Sequence, residues 1–148
     1  MKKKLSILSI LLVLVLTLCA FAACGKGTAK ATVLKSEGEV LVIRADETKT
    51  DVSFGDVLLD LKESGKIQFE ASNGDYGLYI TSVNGRTITG NEFWAVYTTL
   101  GEYEGVTYSN TDYGTYTYGD AVCPSANVGV DFLPMVEGNL YILVLSTF

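Results

Sequence analysis

Three cysteines and no histidine limit the chemistry open to this 148-residue chain. Cys24 is the cysteine in a reactive context. It ends the run Phe21-Ala22-Ala23-Cys24, behind a Lys2-Lys3-Lys4 head and an almost wholly apolar stretch from Leu5 to Leu18. A positive head, an apolar core and small residues before a cleavage point make an export signal. A cysteine directly after that point makes it a bacterial lipoprotein signal, in which the thiol is acylated and becomes the new amino terminus. Phe21 stands where such signals favour leucine. The alternatives are an ordinary secretory signal or an uncleaved anchor, the apolar run being near the lower end of the ~17–25 residues that span a bilayer. One acyl chain holds a protein only weakly, whereas a diacylated Cys24 holds it well.

Catalysis is not expected. The absence of histidine removes both the commonest general base and the commonest metal ligand. The Ser, Asp and Glu residues form no recognised nucleophile–base motif, and no Gly-rich phosphate loop opens a helix. Cys19 leaves with the signal and Cys24 is acylated, so Cys123 stands alone and no intramolecular disulfide can form. A lone internal cysteine most often serves as a small buried apolar residue.

Two other groups could bind something. Asn73 with Asp75, and Asn110 with Asp112 and Asp120, offer hard oxygen ligands suited to calcium, although neither group has a full calcium-loop pattern and Asn and Asp between strands ordinarily make turns. The aromatic residues carry more weight. The stretch 101–127 holds Tyr103, Tyr108, Tyr113, Tyr116 and Tyr118, five of nine tyrosines, interleaved with Gly, Ser, Asn and Asp. Such tyrosines give rigid amphipathic contact area at low entropic cost. Tyrosine is also an ordinary strand residue.

Cleavage before Cys24 removes 23 of 148 residues and leaves 125, enough for one domain with a real core. Three of the 11 Lys and Arg leave with the signal and none of the 17 Asp and Glu, so the mature chain has 8 against 17, a net −9. That balance speaks against nucleic acid, whose phosphates need clustered Lys and Arg.

The elements that must position these residues follow from the pattern. Residues 24–36 lack periodicity and form a flexible tether, and the domain occupies 37–148. Glu39–Ala45 is a strand, with a short strand near Thr50–Val52 returning antiparallel to it. A helix runs from about Ser53 to Ser64. Ser53 and Asp56 are spaced as a capping box, Phe54, Val57, Leu58 and Leu61 form one apolar stripe, and Gly65 closes it. Strands follow over Ile67–Ala71, Tyr76–Val83, Arg86–Ile88 and Phe93–Thr99, with an Asn73-Gly74-Asp75 turn and an Asn84-Gly85 hairpin turn. Val128–Leu133 and Leu140–Ser146 pair around Glu137-Gly138-Asn139, and the all-apolar Leu140–Leu145 is central in the sheet. The long 101–127 stretch is either a functional loop or a hairpin of its own, for which Thr115–Tyr118 is the candidate. The fold class is α+β, a mixed sheet with one packed helix. Trp94 and Tyr97, three residues apart, face opposite ways on their strand. Whether Trp94 with Val96, or Phe93 with Ala95 and Tyr97, forms the core is open at this level.

This order resembles the transcobalamin C-terminal-like domain family, including its lipoprotein members in Gram-positive bacteria. The resemblance rests on the capped helix SFGDVLLDL, the strand Leu78 to Val83 ending in Asn84-Gly85, the aromatic strand Phe93-Trp94-Ala95-Val96-Tyr97 and the last unit with its Glu137-Gly138 turn. It spans about Glu39 to Phe148 and departs from the family in the Tyr-rich 101–127 insertion. It implies a ligand-binding β-grasp fold in which Phe93, Trp94 and Tyr97 lie at the ligand-facing edge. The family's vertebrate carriers hold cobalamin between two domains, and this chain has one. The expectation is thus an extracytoplasmic, lipid-anchored protein that binds a small ligand, a corrinoid by resemblance, and passes it to a membrane transporter. Phe93, Trp94, Tyr97, Tyr113, Tyr116 and Tyr118 would make the contacts. A surface interaction module for protein or glycan, or a calcium-binding surface domain, is the alternative.

Overall fold

The computed structural model describes residues Thr28–Phe148, so Cys24 and the signal lie outside the described residues. Its backbone is mostly β with one helix, an α+β chain in the coarse sense. A six-stranded sheet has the order β1-β2-β13-β7-β11-β10, where β1 is Ala31–Glu37, β2 Val40–Ala45, β7 Glu92–Thr98, β10 Ser109–Tyr118, β11 Ala121–Ala126 and β13 Leu140–Thr147. Every described strand pair is antiparallel, which corrects the expected mixed sheet.

The one helix, α1 (Phe54–Glu63), forms where the pattern predicts it. Asp56 N donates to Ser53 Oγ at 3.0 Å, and Ser53 N donates to the Asp56 carboxylate at 3.0 Å, a reciprocal cap that satisfies two otherwise orphaned donors. Gly65, at φ +72°, ends it in the left-handed region that glycine reaches without strain. Phe54, Val57, Leu58 and Leu61 are all buried, and the Phe54 ring meets Tyr141 of β13 at 5.2 Å.

Register decides what the helix covers. Leu41 pairs with Leu143 and Leu143 with Val96; Ile43 pairs with Tyr141 and Tyr141 with Thr98. These rows share the helix face, and Leu41, Ile43, Tyr141 and Leu143 are fully buried there. Burying a side chain of this size stabilises the fold by roughly 1.5–3 kcal/mol. Trp94, paired with Leu145, joins the same core. β13 is central between β2 and β7, as its all-apolar sequence predicts.

Three connections differ from expectation. Ala31–Glu37 is the edge strand β1 rather than tether, paired along β2 through a bulge between Val33 and Lys35 that breaks its alternation. β3 (Lys49–Ser53) does not return along β2; it pairs with β12 (Pro134–Met135). Val128–Leu133 is not a strand, because Val130–Phe132 turns as a 3₁₀ helix and directs Asp131 to the backbone of Leu78. β4 (Phe69–Gly74), β5 (Gly77–Val83) and β6 (Arg86–Thr87) form a separate three-stranded sheet. Its second hairpin turns at Asn84 (φ 54°) and Gly85 (φ 76°), both positive as a type I′ turn requires. β8 (Glu102–Tyr103) and β9 (Val106–Thr107) form a small hairpin that leads into β10.

Candidate functional site

The face of the six-stranded sheet turned away from α1 should alternate to polar residues if it simply met water. It does not. Val42 pairs with Ile142 and Ile142 with Tyr97, so the three share this face, and Cys123 of β11 joins them. Val42, Ile142 and Cys123 are fully buried, although no helix lies over them among the described residues. Val40, Leu140, Val144, Tyr97, Tyr116 and Tyr118 surround them, half-buried.

The tyrosines arrive there because of the β10–β11 hairpin. Tyr118 pairs with Ala121 across a Gly119-Asp120 turn, and Tyr116 pairs with Cys123. Residues two apart on a strand share a face, which places Tyr116 and Tyr118 together. The hairpin joins β7 through one ladder pair, Ser125 with Tyr97. Beyond that pair, side chains bridge the strands: the Tyr97 and Tyr116 rings stand 6.0 Å apart at 38°. Burial pushes the Cys123 thiol above its ordinary pKa, so the site holds an apolar sulfur and not a thiolate nucleophile.

The remaining predicted aromatics divide. Trp94 lies in the helix-side core at 6 % exposure, its buried Nε1 without a hydrogen-bond partner, and cannot touch a ligand on the tyrosine face. This corrects the shared edge expected for Phe93, Trp94 and Tyr97, since their strand sends Trp94 to one face and its neighbours to the other. Phe93 is on the Tyr97 side but stacks on Phe148 at 4.4 Å. Tyr113 stands apart at 74 % exposure. The register jumps from Asn110–Ser125 to Thr115–Pro124, so Thr111–Gly114 has no partners and loops out, closed by Gly114 at φ +105°.

No family model, curated protein or solved structure matches this chain. The assignment of a site therefore rests on geometry.

The oxygen ligands are not assembled. Among the described residues no three His, Cys, Asp or Glu side chains are grouped to hold a metal ion. Asn73 and Asp75 are exposed around the β4–β5 turn, and Asp120 sits at the β10–β11 turn. Asp112 N donates to Asn110 Oδ1 at 2.9 Å, the turn chemistry these residues ordinarily perform.

Two features escaped sequence reasoning. A cleft of about 500 Å³ lies between Thr28–Ala31 and the second half of α1, with Asp60 and Lys66 at its walls and none of the predicted aromatics. Burial first, then the nearby Glu63 and Asp56 carboxylates, raises the Asp60 pKa. Separately, Asp131 Oδ2 accepts from Leu78 N at 2.7 Å beside Gly55 and Gly77, a linkage across distant segments that no local pattern reveals.

Proposed function

We propose that the chain is an extracytoplasmic lipoprotein, anchored through an acylated Cys24, whose domain binds a ligand on the tyrosine face of the large sheet and serves its uptake. The observation that carries this reading is the part-exposed apolar rim of Tyr97, Tyr116, Tyr118, Val40, Leu140 and Val144 over the fully buried Val42, Ile142 and Cys123, where an outer sheet face would otherwise be polar. Contiguous apolar area of this kind marks binding surfaces. Flat aromatic rings over an apolar floor suit a ligand with a broad planar face. The resemblance to the transcobalamin C-terminal-like, β-grasp family supplies a corrinoid as the first ligand of that shape, with a membrane transporter as receiver.

The test is equilibrium dialysis of the mature chain against cobalamin and cobinamide, read by the colour of the ligand. Saturable retention supports the reading; no retention at high micromolar concentration removes the corrinoid. Trp94 fluorescence is a poor readout, because the indole is buried on the far side of the sheet.

A second reading is an interaction module for a surface protein or glycan. It is favoured by Tyr113, presented at 74 % exposure on a bulge that the ladder does not need. Loss of cell or protein binding in Tyr113→Ala, with corrinoids ignored by the wild type, would select it. A calcium role predicts a melting temperature that falls on chelation.

A further inference from the structure

The link between the anchor and the folded domain is short. Thr28 is already held: Lys49 Nζ donates to its carbonyl at 3.2 Å, while Lys30 N donates to Glu47 Oε1 at 2.7 Å and Asp46 N to Lys30 O at 2.9 Å. Only the four residues from Cys24 to Gly27 precede it after cleavage. At ~3.3–3.6 Å per extended residue, a link of that length spans at most about 14 Å. A domain so closely tied cannot stand clear of the membrane.

Charge is distributed to match. Lys30, Arg44, Lys49 and Lys66 gather around Thr28, and Lys26 is two residues before it in sequence. These are five of the eight mature Lys and Arg. The carboxylates that share this pole are Asp46, Glu47, Asp60, Glu63 and Glu137, of which Asp46 is engaged by Thr32 and Arg44 and Glu47 by the Lys30 amide. Lys30, Lys49 and Lys66 make no ion pair with another described residue. The other three cations, Lys35, Lys62 and Arg86, are each paired with glutamate. The pole is thus balanced, five cations against five carboxylates, while the rest of the mature chain holds three cations against twelve carboxylates, so the pole is the part that an anionic surface repels least.

We infer that the Thr28 pole docks directly on the anionic lipid surface that holds Cys24, its lysines meeting the headgroups, while the β10–β11 hairpin is held away from it. β1 and β10 are the two edges of the six-stranded sheet, and five strand spacings of ~4.8 Å put them about 24 Å apart. The tyrosine-bearing edge would then face outward, toward arriving ligand, and the lysine edge would face lipid. This inference rests on the lipoprotein reading of Cys24.

The experiment uses the lipidated mature chain in phosphatidylcholine–phosphatidylglycerol vesicles carrying a headgroup acceptor dye. Donor dye is placed at Glu63→Cys, beside the pole, or at Asp120→Cys, at the hairpin turn; Cys24 is acylated and Cys123 fully buried, so neither competes for label. Transfer is expected to be severalfold higher from position 63, at the end of α1 near Lys66, than from position 120 at the hairpin turn. Lys30→Glu with Lys49→Glu and Lys66→Glu should erase most of the difference, as should an insertion of about 20 Gly/Ser residues before Thr28. Equal transfer from both positions in the unmodified sequence would overturn the proposal. A difference that survives both changes would overturn it too, since neither the lysines nor the short link would then set the orientation. Intact mass and flotation with vesicles report the anchor separately: an unacylated Cys24 sinks the anchor reading and the docking with it, whereas a chain that floats but shows equal transfer sinks the docking alone.

Discussion

Tyr97 of β7 and Tyr116 of β10 bring their rings to 6.0 Å across the intervening strand β11, and the side chain of Cys123 lies fully buried in the cluster they share. The pair spans the place where the β10–β11 hairpin is joined to the sheet by the single ladder pair Ser125–Tyr97. Aromatic side chains thus complete a seam that backbone hydrogen bonds leave open.

The thiol reports on that seam. Cys123 is inert because it is covered and because burial raises its pKa above the ordinary 9.0, leaving little thiolate near neutrality. Tyr97→Ala or Tyr116→Ala should uncover it and speed its reaction with a disulfide reagent at pH 8 by about tenfold or more. Tyr113→Ala, on the exposed bulge, should leave the rate unchanged.

Asp131 makes a second long-range link. Its carboxylate accepts from Leu78 N at 2.7 Å and fills the space where a Cβ on Gly55 or Gly77 would stand, the latter only 2.6 Å from Oδ2. Gly77 also sits at φ +99°, so Gly77→Ala should destabilise by roughly 1–3 kcal/mol from backbone strain alone. Asp131→Ala should cost about 1–3 kcal/mol by orphaning the Leu78 amide. In the Asp131→Ala background Gly55→Ala should cost markedly less than it does alone, because the clash is gone; urea unfolding of the four variants measures this coupling.

The helix start offers a simpler check. Ser53→Ala removes the acceptor for Asp56 N, and about 1 kcal/mol of unfolding free energy should be lost.

Tyr141 governs the alkaline limit. Its hydroxyl donates to Pro134 O at 2.7 Å and accepts from Val136 N at 2.8 Å, and burial pushes its pKa up to about 12 from 10.0. Between those values the unfolded chain has lost the proton that the folded chain keeps. Stability is therefore full below pH 10 and falls as pH rises toward 12, by roughly 2–3 kcal/mol from this group. Tyr141→Phe should flatten that decline while lowering stability at pH 7 by about 1–3 kcal/mol, since two buried backbone groups lose their partner.

What was legible in the sequence was what is local. Ser53 and Asp56 announce the helix start, Phe54 to Leu61 its buried stripe, Asn84-Gly85 its hairpin, and Leu140–Leu145 the central strand, because each signal is complete within a few residues. β1 escaped because a bulge after Val33 breaks its alternation at an exposed edge. β3 and β12 find each other across about 80 residues, a pairing with no local trace. Val128 and Val130 mimic an alternating strand until Asp131 is drawn to Leu78. The site was half legible: the i, i+2 spacing places Tyr116 with Tyr118, but which face of β7 carries Tyr97 is settled only by the strands beside it. Trp94, the most conspicuous aromatic, belongs to the core.

The most direct test of the tyrosine face as the binding surface is side-specific loss of affinity. Dialysis of the mature chain against cobinamide and cobalamin, repeated with Tyr97→Ala/Tyr116→Ala and with Tyr113→Ala, should show saturable binding that the double variant weakens by about tenfold or more, as losing aromatic contacts worth ~1.4 kcal/mol would do. Tyr113→Ala should bind as the wild type does. Binding that the folded double variant retains in full would contradict the account, as would a wild type that retains neither corrinoid.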